Sequence, residues 1–178
     1  MRKIVPCLLA LLLLAACGGA DSSEKSAGVM SSFTTTDLYG EDVDETVLQD
    51  HVLTMVNVWA TYCGPCIREM PELGELAEEY AEKDVQILGL VIDTLNSDGS
   101  VSAAQVEIAG QIASETGAGY MHLLPSDSLS PILEKVSAVP TTFFVDDVGR
   151  QIGDAYIGAR SREDWAAVID SLLAEVQP

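Results

Sequence analysis

The chain has 178 residues, of which 28 are Asp or Glu and 9 are Lys or Arg, for a formal net charge of −19 at pH 7. That balance disfavours nucleic acid and anionic lipid headgroups as partners and favours neutral or basic partner faces. The length suits one compact domain with its own core behind a short leader.

Arg2 and Lys3 precede the apolar run Leu8 to Ala16, too short for a comfortable membrane span and patterned as a secretory signal over residues 1–16. The run closes on Leu14-Ala15-Ala16-Cys17-Gly18-Gly19, which resembles the bacterial lipobox. Cys17 is therefore expected to carry a lipid and anchor an extracytoplasmic protein to the cell membrane. Cys7 lies inside the signal and is lost with it. Over residues 17–32, Gly, Ser, Ala and charged residues leave little to bury, and a flexible tether is expected there before a single domain over 33–178.

Within that domain, Val52-Leu53-Thr54-Met55-Val56-Asn57-Val58-Trp59 reads as a buried central strand. A helix is predicted from about Cys63 to Glu82, with Ile67, Met70, Leu73, Leu76, Ala77 and Tyr80 at helical spacing and Pro71 expected to kink it. Val85 to Asp93 reads as a second buried strand, and the intervening helix makes the pair parallel. A polar loop, Leu95 to Ser102, leads to a helix from about Ala103 to Thr116 capped by Gly117. A short strand, Tyr120 to Leu124, and a short helix, Leu129 to Val136, precede Val139-Pro140. Thr141 to Asp146 and Gln151 to Ile157 then form a hairpin, so the sheet is mixed. A final helix, Arg162 to Val176, presents Trp165, Val168, Ile169, Leu172 and Leu173 as one core-facing stripe.

Chemistry concentrates in Trp59-Ala60-Thr61-Tyr62-Cys63-Gly64-Pro65-Cys66, at the change from strand to helix. Cysteines at this spacing can close a small disulfide ring. Cys63, at the amino-terminal edge of the helix, gains from unpaired N–H groups and the helix dipole, which stabilise a thiolate below the ordinary thiol pKa of ~8.5. It is the expected nucleophile, and Cys66, one turn inside, the resolving thiol. The same spacing also serves a structural disulfide or half of a tetrahedral zinc site. Cys7 and Cys17 lie in the leader, and neither His51 nor His122 stands at a ligand spacing, so four ligands are not assembled within one chain. Both histidines read as structural, and no metal or cofactor is expected.

With this order of elements and this motif, the chain resembles the thioredoxin superfamily over roughly Phe33 to Pro178, and within it the membrane-tethered TlpA-like and ResA-like thiol-disulfide oxidoreductases. The resemblance implies an α/β thioredoxin-like fold: a mixed central sheet flanked by helices, with an N-terminal extension and a helical insertion. Cys63-Gly64-Pro65-Cys66-Ile67-Arg68-Glu69-Met70-Pro71 is similar to the subgroup's extended signature, in which Glu69 carries the acidic position. Val139-Pro140-Thr141-Thr142-Phe143 is similar to the family's cis-proline segment, which offers backbone groups to an extended client; a cis X-Pro bond costs only about 0.5–1 kcal/mol. Asn57 stands six residues before Cys63, where cytoplasmic thioredoxins place a buried aspartate. Glu69, one turn beyond Cys66, is then the candidate for the missing carboxylate, able to exchange a proton with that thiol. Trp59 and Tyr62 are expected to shape the dithiol's apolar rim, and with Gly64, Pro65, Val139 and Pro140 to contact the client.

The pair Gly64-Pro65 is the one found in thioredoxins, at about −270 mV against about −120 mV for the oxidant DsbA, which leans toward a reductase. Similar proteins take electrons from a membrane-embedded thiol donor and pass them to apocytochrome c cysteines, oxidised methionine sulfoxide reductases or other extracytoplasmic disulfides. A monomer acting on such protein disulfides is expected. Two other classes compete: a thiol-dependent peroxidase of the redoxin type, whose Pro-x-x-x-Thr-x-x-Cys pattern Thr61 and Cys63 do not fit, and a copper-binding lipoprotein, whose cysteines usually have three residues between them and a distant histidine, against the two residues between Cys63 and Cys66.

Overall fold

A computed structural model describes residues 28–177. The expected signal, Cys17 and most of the expected tether lie outside them. Strand β3 (Leu53–Trp59) is the axis of the fold, and all seven of its residues are buried. It pairs in parallel with β4 (Val85–Val91) and antiparallel with β6 (Thr141–Val145). β5 (His122–Leu123) extends the β4 side in parallel and β7 (Gln151–Ile157) the β6 side antiparallel, giving the order β5-β4-β3-β6-β7. The continuous apolar run of β3 is thus explained: a strand with neighbours on both edges and layers on both faces has no side in water.

Alternation along β3 splits the core. Leu53 and Met55 face helices α1 (Gly64–Ala81) and α4 (Arg162–Val176), packing with Leu73, Leu76, Trp165 and Ile169. Val56 and Val58 face the other way, toward Phe143 and Val145 and a cover made of Met30, Phe33, Leu48 and Ile132. At the carboxyl end of β3 and β4 a third cluster joins Trp59, Cys63, Cys66 and Met70 to Ala109 and Ala113 of α2 (Ala103–Thr116). Gly117 ends α2 in the left-handed conformation, φ 71°, as expected of a glycine cap. Helix α1 continues through Pro71 for ten more residues.

Three features differ from the sequence reading. Residues 28–32, expected in the tether, belong to the packed domain: Met30 is fully buried, and its N–H donates to the Gly149 carbonyl at 3.0 Å. Met30, with Val29 packed beside it, docks a stretch otherwise made of Gly and Ser. Next, β1 (Thr34–Thr36) and β2 (Asp42–Asp44) form an antiparallel hairpin too short and polar to show an apolar period. Finally, the strand expected over Tyr120 to Leu124 is only His122–Leu123, and helix α3 only Ser130–Leu133. Glu134 caps that helix, and the N–H groups of Lys135 and Val136 close tighter turns, three residues back, before the chain must extend ahead of Pro140.

Candidate active site

Cys63 is the N-cap of α1, with φ −87° and ψ 93°, and Gly64 and Pro65 form the first helical positions. Proline is tolerated there because its missing N–H would have had no intrahelical acceptor. Cys63 and Cys66 are joined in a disulfide with their Cα atoms 5.3 Å apart, and the Cys66 N–H donates to Cys63 Sγ at 3.2 Å. The two sulfurs are not equivalent. Cys63 is 5% exposed and Cys66 is fully buried, so an incoming thiol or disulfide meets Cys63 first. On reduction, the Cys66 amide and the open helix end favour the Cys63 thiolate.

The turn that delivers Cys63 is clamped from the neighbouring strand. The Asp93 carboxylate accepts from the Thr61 N–H, at 3.1 Å to each oxygen, and from the Thr61 hydroxyl. Asp93 enters the sequence reading only as the end of a strand, which in fact stops at Val91. Its signal becomes visible only once β3 and β4 are in register, with Trp59 opposite Val91, which brings the two strand ends together.

Beneath the dithiol lies a buried carboxylate. Glu69 is 3% exposed; its Oε1 accepts from Asn57 Nδ2 at 3.0 Å, and its Oε2 from the Arg160 N–H at 3.1 Å and Trp165 Nε1 at 3.3 Å. Burial pushes its pKa above the ordinary carboxylate value, and the three donors oppose that rise. Glu69 is therefore no surface glutamate, and Asn57, six residues ahead of the nucleophile, is hydrogen-bonded to it. Asn57 also donates to Thr142 Oγ1 at 3.0 Å, linking the carboxylate to the strand that follows Pro140.

The Val139–Pro140 peptide bond is cis. Val139 is half-buried against the dithiol cluster, while the Pro140 ring is buried and its carbonyl accepts from the Gly158 N–H at 2.8 Å. Tyr62, Gly64 and Pro65 are exposed around Cys63. Trp59 is a correction: expected at the rim in contact with clients, it is fully buried. Its indole N–H donates to His122 Nδ1 at 3.2 Å, and His122 Nε2 lies 3.0 Å from the Ala118 carbonyl, so the imidazole carries its proton on Nε2. Burial pushes the His122 pKa down to about 4. Trp59 therefore supports the dithiol from below. Cys17 lies outside the described residues.

A dithiol at the start of a helix, on a mixed sheet and beside a cis-proline, defines a thiol-disulfide oxidoreductase of the thioredoxin superfamily. The Redoxin family matches residues 25–169, and the chain belongs to that family, as a ResA-like member. A thiol-disulfide oxidoreductase ResA of Bacillus cereus is 26% identical to it over 179 residues, covering 94% of each chain. ResA of Bacillus anthracis is 26% identical over 147 residues, covering 83% of this chain and 76% of its own. Among solved structures, the thiol:disulfide interchange protein of Chlorobium tepidum TLS superposes with a TM-score of 0.65 at 20% identity, covering 80% of this chain and 93% of that one. StoA of Bacillus subtilis gives 0.57 at 16% identity, covering 76% and 94%. These two structures share the fold.

Proposed function

We propose that the protein is a membrane-anchored, extracytoplasmic reductase of protein disulfides. The observation that carries the chemistry is the unequal exposure of the two sulfurs at the start of α1. The Cys63 thiolate attacks a client disulfide, forming a Cys63–client bond and releasing one client thiolate, which takes up a proton. Cys66 gives its proton to Glu69, and its thiolate attacks Cys63 Sγ. The mixed disulfide breaks, the second client thiolate leaves, and two electrons have passed to the client while Cys63–Cys66 is oxidised. The Gly64-Pro65 pair favours this direction, and a membrane-embedded thiol donor restores the dithiol.

The basic-apolar leader and Cys17 support the location. Cysteines of apocytochrome c and oxidised methionine sulfoxide reductases are the favoured clients, by the resemblance to membrane-tethered relatives. In cells, the Cys66→Ser variant is expected to accumulate mixed disulfides through Cys63, detected as bands that vanish on reduction, and Cys63→Ser to form none. Absence of trapped clients together with no insulin reduction by the wild type would overturn the proposal. A potential well above about −180 mV would replace the reductase with an oxidant or isomerase. Peroxide consumption with a thiol donor, or copper binding by the reduced form, would replace it with a peroxidase or a metal carrier. Labelling with a radioactive fatty acid tests the anchor: wild type is expected to take the label and Cys17→Ala to lose it.

A further inference from the structure

Two of the three donors on Glu69 come from a part of the chain about ninety residues away, at the start of α4. Trp165 belongs to the core-facing stripe of that helix, and its ring packs there, 6.4 Å from Phe144 and 5.7 Å from Tyr156 between centroids. A phenylalanine would also present an aromatic ring to such a face, at the cost of some volume. What packing leaves unexplained is the indole N–H, which is buried and directed at Glu69 Oε2. The neighbouring Arg160 N–H reaches the same oxygen. Its segment also holds the cis-proline, through the Gly158 N–H on the Pro140 carbonyl. The clamp on the carboxylate and the support of the client-facing strand are therefore one stretch of chain.

We propose that Trp165 is a positioning residue for Glu69, holding its carboxylate, together with the Arg160 amide, in place beneath the dithiol for proton exchange with Cys66. The proposal rests on Glu69 being the proton-exchanging group. The other charged or titratable groups around it are Glu72 on α1, the Tyr120 phenol ahead of β5, and the Arg160 guanidinium, which lies 5.5 Å over the Trp165 ring. Among the described residues only the indole donates a side-chain hydrogen bond to Oε2, and that bond favours the ionised carboxylate that receives the Cys66 proton. Without it the carboxylate holds its own proton to higher pH, and resolution slows on the acid side.

The test follows the Trp165 indole N–H resonance of the ¹⁵N-labelled protein from pH 4 to 9, assigned against Trp165→Phe, which leaves Trp59 as the other indole. The resonance is expected to titrate in the wild type and to stay still in Glu69→Gln. In Trp165→Phe, the acid limb of the rate of disulfide reduction is expected to move up by about one pH unit, and to show no such move when Glu69→Gln is also present. A resonance that does not titrate in the wild type, while Glu69→Gln alters the pH profile, overturns the role of Trp165 and leaves that of Glu69 standing. A pH profile unchanged by Glu69→Gln removes Glu69 from proton exchange, and the inference with it. The resonance is read in the folded wild type, so the first result stands even if Trp165→Phe unfolds.

Discussion

Two buried ionisable side chains lie under the dithiol, and their stabilities depend on pH with opposite signs. His122 is 4% exposed, and its pKa is pushed down to about 4 from an ordinary 6.5. Between those values the unfolded chain binds more protons than the folded one, so stability rises with pH across that window and the slope ends below about 4. Its span corresponds to roughly 3 kcal/mol from this one group. Urea unfolding from pH 4 to 7 is expected to show this loss on acidification in the wild type relative to His122→Gln; parallel curves would disprove it. Glu69 works the other way. Its raised pKa means the folded chain holds the proton longer, so its contribution declines as pH rises from the ordinary carboxylate value through the raised one. Stability of the wild type relative to Glu69→Gln is therefore expected to fall with rising pH over that range.

At the scale of elements, two glycines set how closely neighbours approach. A Cβ on Gly74 of α1 would lie 2.3 Å from the carbonyl oxygen of Gly117, the residue whose N–H caps α2, so the two helices meet there backbone to backbone. In an exposed helix, Gly→Ala stabilises by about 0.5–1 kcal/mol. Here the sign reverses: Gly74→Ala is expected to destabilise by about 1–3 kcal/mol, because the helices must separate, and a higher urea midpoint would contradict this. On β4, a Cβ at Gly89 would lie 2.0 Å from His122 Nδ1. The missing side chain makes room for the imidazole that holds Trp59. The order of β3, α1, β4, α2, β6, β7 and α4 was legible from apolar runs, helical spacing and turn residues, since each is a local pattern. The β1–β2 hairpin was not, because the three-residue strands Thr-Thr-Thr and Asp-Val-Asp carry one core side chain, Val43, between them, too little for a period to show.

For the whole molecule, the place where the chain joins its domain matters. A Cβ on Gly28 would lie 2.3 Å from the Gly149 carbonyl, in the turn between β6 and β7. β6 runs antiparallel to β3, with Val145 opposite Thr54 and Thr141 opposite Val58, so that turn lies at the end of the sheet away from Cys63. Roughly 20 Å of strand separates the two ends. Gly28 thus enters the domain at the pole opposite its dithiol. Met30 makes this junction part of the fold. A chain beginning at Gly28 keeps this junction and sets the reference urea midpoint. One beginning at Phe33 should lose about 2–5 kcal/mol, as for removal of a buried methionine side chain, and equal midpoints for the two would refute this.

Taken alone, the sequence established the dithiol, its polarity from nucleophile to resolving thiol, the cis-proline segment by resemblance, and the order of the larger elements. All of these rest on neighbours a few residues apart or on one repeating period. Tertiary structure decided the environment of the chemistry. Glu69 is buried and held by Asn57, Arg160 and Trp165, at separations of 12, 91 and 96 residues. Trp59 moved from rim to foundation because His122, 63 residues on, is its partner. A side chain's spacing along a helix tells which way it points, but its charge and reach are set by what the rest of the chain places against it.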